Sequence, residues 1–329
     1  MKFEKRDETL DIAKGFCIIF MVIGHCYSKE NLILILIYGF HMPMFFVVSG
    51  LIYAKKIKEN RNYTFDYCRN IMRLGKAYLL YSVAFSVFLG AFRPNDFFEI
   101  QINNTINIIK LRGVSVLWYL PCICLVESIF FATKKLGDNV SKKICLLMYL
   151  IPFLFPSDGI ILPLERCFIG LGFFSLGFYF LGGVMDFQGG KKKKISWGLL
   201  FVIYILFSIK NDMVSLVKLQ FGNPLLYTIT SVIGCILMLE VSVWLAQNAS
   251  QKLKNVIILL GQNTLFILGT HMFLVEIVRL LDYYICGDFL KKLGSFEGIV
   301  FGAGVSIVLY FLLILKKSVV GSATREKRI

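Results

Sequence analysis

DIAKGFCIIFMVIGHCYS, Asp11 to Ser28, is an apolar run close to the length of a bilayer crossing, about 20 residues, with ionisable side chains set inside it. Lys14 and His25 stand eleven positions apart. At about 100° per residue they return to nearly the same helix face, about 16 Å apart along the axis. Asp11 lies one turn before Lys14, the spacing of an i,i+3 charge pair. Lys2, Lys5 and Arg6 precede the run as in a secretory leader. Ionisable residues within it and the lack of a small-residue cleavage site predict a retained helix instead.

The rest of the chain repeats this pattern. Of 329 residues 57% are hydrophobic and only 17% charged, whereas soluble domains carry about 25% charged residues. This excludes a disordered chain, a disulfide scaffold and an ordinary soluble enzyme. Ten spans are predicted, near 11–28, 33–54, 75–92, 115–133, 144–156, 166–185, 195–210, 224–246, 256–277 and 298–315. With the N-terminus inside, the cytoplasmic segments (to Lys14, 55–76, 134–143, 191–194, 252–254 and the tail 316–329) hold 26 of the 36 Lys and Arg. The positive-inside rule therefore selects N-in, C-in and an even number of helices. The net charge of +15 is thus an orientation signal and calls for no nucleic acid. The expected fold is an all-α polytopic membrane bundle of about ten helices, forming one integral-membrane domain over 1–329. No inverted repeat of the transporter kind is apparent. Gly298-x-x-x-Gly302 reads as a small-residue packing stripe.

Ionisable residues inside spans are costly unless they face a partner or a cavity. All three histidines of the chain fall there: His25 in the first span, His41 in FHMPMFF at the second, and His271 in the ninth. The orientation places all three toward the outer half of the bundle, with Pro43 at the first turn of the second helix. A lone buried histidine is commonly a packing residue. Three at one depth, with none in a loop, point to a polar pocket with a general base. Metal binding by the three is the alternative, but no carboxylate is placed as a fourth ligand and no metal is expected. The nine cysteines show no C-x-x-C or Cys/His ligand spacing and read as small buried hydrophobes. Cys26, Cys167 and Cys286 fall near the outer face.

Segment 55–76 is the most basic part of the chain, and Arg69 and Arg73 share a helix face there. Orientation explains much of that charge. The functional reading is a dock for an anionic cytosolic donor, whose phosphates Arg can grip with two hydrogen bonds. Glu127, in the fourth span, needs a buried partner, with Lys14 or an arginine of the basic segment as candidates. Glu165 and Arg166 read as a solvated pair at an outer junction.

These elements together resemble the acyltransferase-3 family of membrane O-acyltransferases. Lys14 and His25 are similar to the family's opening pattern, a basic residue and a histidine with ten residues between. Tyr38 to Gly50, YGFHMPMFFVVSG, resembles its F-H-M-P-L-F-F…S-G stretch. Arg73-Leu74 with Tyr78 resembles R-L-x-x-P-Y, with Ala77 at the usual proline. The family's paired arginines are separated by two residues, Arg69 and Arg73 by three. Leu117-Trp118-Tyr119-Leu120 is similar to L-W-F-L, and LGQNTL (Leu260–Leu265) with His271 resembles the late G-x-N-S-L…H element.

The resemblance implies a stand-alone sugar O-acetylase of the bacterial plasma membrane, multi-pass, with no bound cofactor. Its donor would be acyl-CoA, acetyl-CoA first, docking on Arg69, Arg73 and Lys14. Its acceptor would be a surface polysaccharide or a lipid-linked sugar. His25 is the expected base and His41 the second candidate, with Asp11, Trp118, Glu127 and His271 shaping the pocket. The competing reading is a glycan or anion transporter, or a flippase, without covalent chemistry.

Overall fold

The computed structural model describes residues 7–59, 63–155, 163–181 and 197–326, with backbone alone at 63–66 and 319–326. The basic run Lys191–Lys194 lies outside the described residues. Among those described there is no β-strand, only an isolated antiparallel bridge between Ser215 and Gln220. The helices longer than two turns are α1 (Glu8–Cys26), α2 (Leu32–Lys58), α3 (Tyr63–Ala91), α4 (Phe97–Ile109), α5 (Tyr119–Lys134), α6 (Asp138–Leu154), α7 (Leu164–Leu176), α8 (Trp197–Asn211), α9 (Pro224–Asn248), α10 (Gln251–Gln262), α11 (Thr264–Ile285) and α12 (Glu297–Glu326).

Among the described residues eight segments are long and apolar enough to cross a membrane, and α8 is a shorter apolar helix. Helix α6, 17 residues long, stands at the fifth expected span but starts at Asp138, earlier than 144. The ninth expected span, 256–277, is two helices broken at Asn263. The first of these, α10, carries Gln251, Lys252, Lys254 and Asn255 in its opening turns, and the second, α11, runs on to Ile285. The two-residue-wide polar step at Gln262-Asn263 is where the apolar run yields. A second departure is Pro43, which lies well inside α2 and not at its first turn. Proline donates no N–H to the carbonyl four residues earlier, that of Gly39. The Ser231 hydroxyl of α9 donates to that carbonyl instead, at 2.8 Å. This is how a proline is tolerated in an intramembrane helix, where an orphaned carbonyl has no water to bond.

The chain divides into two compact units, residues 1–37 with 238–329, and residues 38–237. In the first unit α1 packs on α10, α11 and α12. Asp7 caps α1, its side chain accepting from the Thr9 and Leu10 amides. Helices α1 and α10 touch backbone to backbone: a Cβ at Gly261 would collide with the Asp11 carbonyl oxygen, and one at Gly15 with that of Ile257. The Gly298-x-x-x-Gly302 stripe of α12 meets Tyr27 and Ile23. In the second unit α5, α6 and α7 pack together and α3 packs on α4 and α5.

Candidate active site

In the first unit the predicted residues of α1 gather partners from α10 and α11. The Lys14 ammonium lies 2.5 Å from Asp11, the local pair that the spacing implied. Asp11 is buried, and its other oxygen accepts from the Gln262 amide at 2.9 Å. The carboxylate is thus held from both sides, and the Gly15–Gly261 contact sets the helix spacing that lets a glutamine reach it. Lys14 keeps about a quarter of its side chain accessible.

Eleven residues further along α1, the His25 and His271 rings lie with centroids 5.6 Å apart, tilted by 38°. His25 is half-buried and His271 is fully buried. The Nδ1 of His271 lies 2.9 Å from the Ile267 carbonyl oxygen, which can only accept, so Nδ1 carries a proton and, in the neutral ring, Nε2 presents a lone pair. Among the described residues that buried Nε2 has no hydrogen-bond partner. The Arg279 guanidinium of α11 donates to the His25 carbonyl at 2.9 Å and to that of Tyr27 at 3.4 Å. It closes carbonyls that the end of α1 leaves unbonded and so fixes the backbone carrying His25. Past that end, the Glu297 carboxylate accepts from the Ser28 amide and hydroxyl at 3.1 and 2.7 Å.

The second unit holds the other predicted residues. His41 is buried, its ring 4.8 Å from that of Tyr38. Trp118 ends a short 3-10 turn, Ser115–Trp118, entered through Gly113 at φ +77°. A Cβ on Gly113 would strike the Trp118 backbone, so the turn requires glycine. The Tyr119 ring packs on Phe45 and Phe46 at 5.5 and 5.4 Å, joining two of the sequence motifs. The Arg166 guanidinium lies 5.7 Å above the Trp118 ring, a cation–π contact. Glu127 is buried, and both its oxygens lie within 3.0 Å of the Asn70 amide nitrogen. Asn70 accepts in turn from Arg73 at 2.8 Å. Arg73 therefore reaches Glu127 only through Asn70, while Arg69 and Arg73 themselves are exposed.

Gln262, Asn70 and Arg279 are functional candidates that the sequence reading did not single out by role. Arg279 falls two positions past the expected span 256–277, and only the extension of α11 to Ile285 makes it an ionisable residue in an apolar helix. Gln262 and Asn70 had no signal, since neutral amides are unremarkable until their partners are known. Among the described residues no three His, Cys, Asp or Glu side chains converge as a metal site. None of the nine cysteines forms a disulfide among the described residues; Cys26 and Cys167 are buried and Cys286 is exposed.

Helices of this length and apolarity define a polytopic helical membrane protein, and each of its two units buries a few hydrogen-bonded ionisable residues. Residues 7–315 match the acyltransferase-3 family model, described as an acyltransferase domain, and the chain belongs to that family. No curated protein and no solved structure matches it significantly.

Proposed function

We propose that this membrane acyltransferase moves an acyl group, acetyl first among candidates, from cytosolic acyl-CoA to a hydroxyl of a cell-surface or lipid-linked glycan at the bacterial plasma membrane. The observation that carries the proposal is the α1 face, where a partly accessible Lys14 and a half-buried His25 share one helix whose backbone is fixed by Arg279.

A sugar hydroxyl has a pKa far above 7 and attacks a thioester slowly unless a base removes its proton as the bond forms. His25 takes that proton while the oxygen adds to the acyl carbonyl. As the C–S bond breaks, the imidazolium returns the proton to the departing CoA sulfur. Arg69 and Arg73, exposed at the start of α3, are assigned to the donor's phosphates, with Lys14 as a third cation. Asp11 and Gln262 orient Lys14. His41 stands as the second candidate base, and Trp118, Glu127 and His271 as pocket residues.

The test is transfer of labelled acetyl from acetyl-CoA to a glycan acceptor by the purified protein, comparing wild type with His25→Ala. Loss of transfer with an unchanged melting temperature supports the assignment. Undiminished turnover in a folded His25→Ala protein removes His25 as the base.

A further inference from the structure

Within the second unit, α6, α7 and α9 leave a cleft of about 300 Å³ between them. Its walls are Leu146 and Tyr149 of α6, Leu176 of α7, Phe180 of the π-turn Gly177–Leu181 that follows it, and Val232 of α9. Leu146 and Phe180 are exposed on its rim. Helices α7 and α9 belong to segments long and apolar enough to cross a membrane, and α6 stands at the fifth expected span. The volume corresponds to about ten groups of the size of a water or a methylene. That suits a stretch of hydrocarbon chain.

One end of the cleft is basic. Lys142 and Lys143 line it and are exposed. They stand in the early turns of α6, about 10 Å along the axis before Tyr149. The Lys142 ammonium lies 5.1 Å from the Tyr179 ring centroid, which keeps it over the mouth of the cleft. The nearest acid on α6, Asp138, is already paired with Lys134. Among the described residues neither Lys142 nor Lys143 has a carboxylate partner. The distribution of basic residues puts this end at the cytoplasmic surface, where basic clefts between membrane helices take anionic headgroups.

We propose that this cleft is a binding site for an anionic phospholipid of the cytoplasmic leaflet, with one acyl chain between α6, α7 and α9 and the headgroup phosphate on Lys142 and Lys143. An apolar slot ending in two ammonium groups that have no carboxylate partner among the described residues matches a molecule that is a hydrocarbon chain ending in a phosphate, and the inference does not depend on which acyl group or acceptor the enzyme uses. Each lysine at the surface contributes about 1 kcal/mol toward an anionic lipid, about fivefold, so two give roughly a thirtyfold preference over a zwitterionic lipid of the same chains.

The experiment is lipid titration of the detergent-purified full chain by native mass spectrometry, with phosphatidylglycerol and phosphatidylcholine of identical chains. Wild type is expected to bind phosphatidylglycerol at least tenfold more tightly. The double variant Lys142→Gln/Lys143→Gln, which changes only exposed side chains, should lose that preference. Val232→Trp, which fills the slot, should weaken both lipids; Leu176→Phe serves the same end should Val232→Trp fail to fold. Equal affinity of wild type for the two lipids overturns the proposal, as does a preference that survives the double lysine variant. Undiminished binding in a folded slot-filling variant also overturns it, because the headgroup would then dock without a chain in the cleft.

Discussion

His271→Phe separates chemistry from folding at the buried end of the polar face. The ring is fully buried, so a substitute must fill the same space, and phenylalanine nearly does. The folded protein loses one neutral hydrogen bond, the 2.9 Å contact of Nδ1 with the Ile267 carbonyl, typically about 0.5–1.5 kcal/mol. Nothing further is lost at Nε2, which has no protein partner among the described residues. Removing a buried lone pair that lacks a donor recovers part of its desolvation cost. The net change in stability is therefore expected to stay within about 1.5 kcal/mol, a shift of a few degrees in melting temperature. Activity should respond differently. A lone pair beside His25, 5.6 Å between ring centroids, is available to a bound hydroxyl or a bridging water. Losing one such hydrogen bond in the transition state, about 1.4–2.8 kcal/mol, slows transfer about 10- to 100-fold. The assay is the initial rate of acetyl transfer at saturating donor, paired with thermal unfolding in the same detergent. His271→Gln, whose amide oxygen restores an acceptor, should recover part of the rate. A His271→Phe protein that melts normally and transfers at the wild-type rate refutes the reasoning, since Nε2 would then face no reacting group.

Three further substitutions probe the frame around the site. Ser231→Ala removes the hydroxyl that donates to the Gly39 carbonyl opposite Pro43; weakening the pairing of that carbonyl should lower stability by about 1–3 kcal/mol, read as a drop in melting temperature, and Ser231→Thr should restore it. Asn70→Ala strips the hydrogen bonds from the buried Glu127 carboxylate and the acceptor from Arg73. It should destabilise by about 2–3 kcal/mol and raise the KM for acyl-CoA more than it lowers kcat; an unchanged KM would separate Arg73 from donor binding. Gly261→Ala drives a methyl against the Asp11 carbonyl, and an overpacked helix contact of this kind costs about 1–3 kcal/mol, checked by thermal unfolding.

Much of the candidate site was legible because it is local. The Asp11–Lys14 pair follows from i,i+3 spacing, and the shared face of Lys14 and His25 follows from helical periodicity alone. The ionisable residues stood out because 57% of the chain is apolar. Other features were hidden by averaging. A hydropathy window over 256–277 merges α10 and α11, because the break at Asn263 depends on two amides within an otherwise apolar run. Pro43 was misplaced because its tolerance inside α2 depends on Ser231, a residue 192 positions from the carbonyl it satisfies.

By itself, then, the sequence determined what short range and composition control: a helical membrane chain, its approximate spans, the side on which its basic residues lie, and the family its motifs resemble. Only the tertiary structure decided which polar groups meet. Gln262 reaches Asp11 across 251 positions, Asn70 reaches Glu127 across 57, and Arg279 closes the end of α1 from 254 positions away. A buried polar group must find a partner in a medium without water, but any helix of the bundle can supply one. Chain spacing constrains that choice only within a few turns. Beyond them, close approaches such as Gly15 against Ile257 and Gly261 against Asp11 settle it.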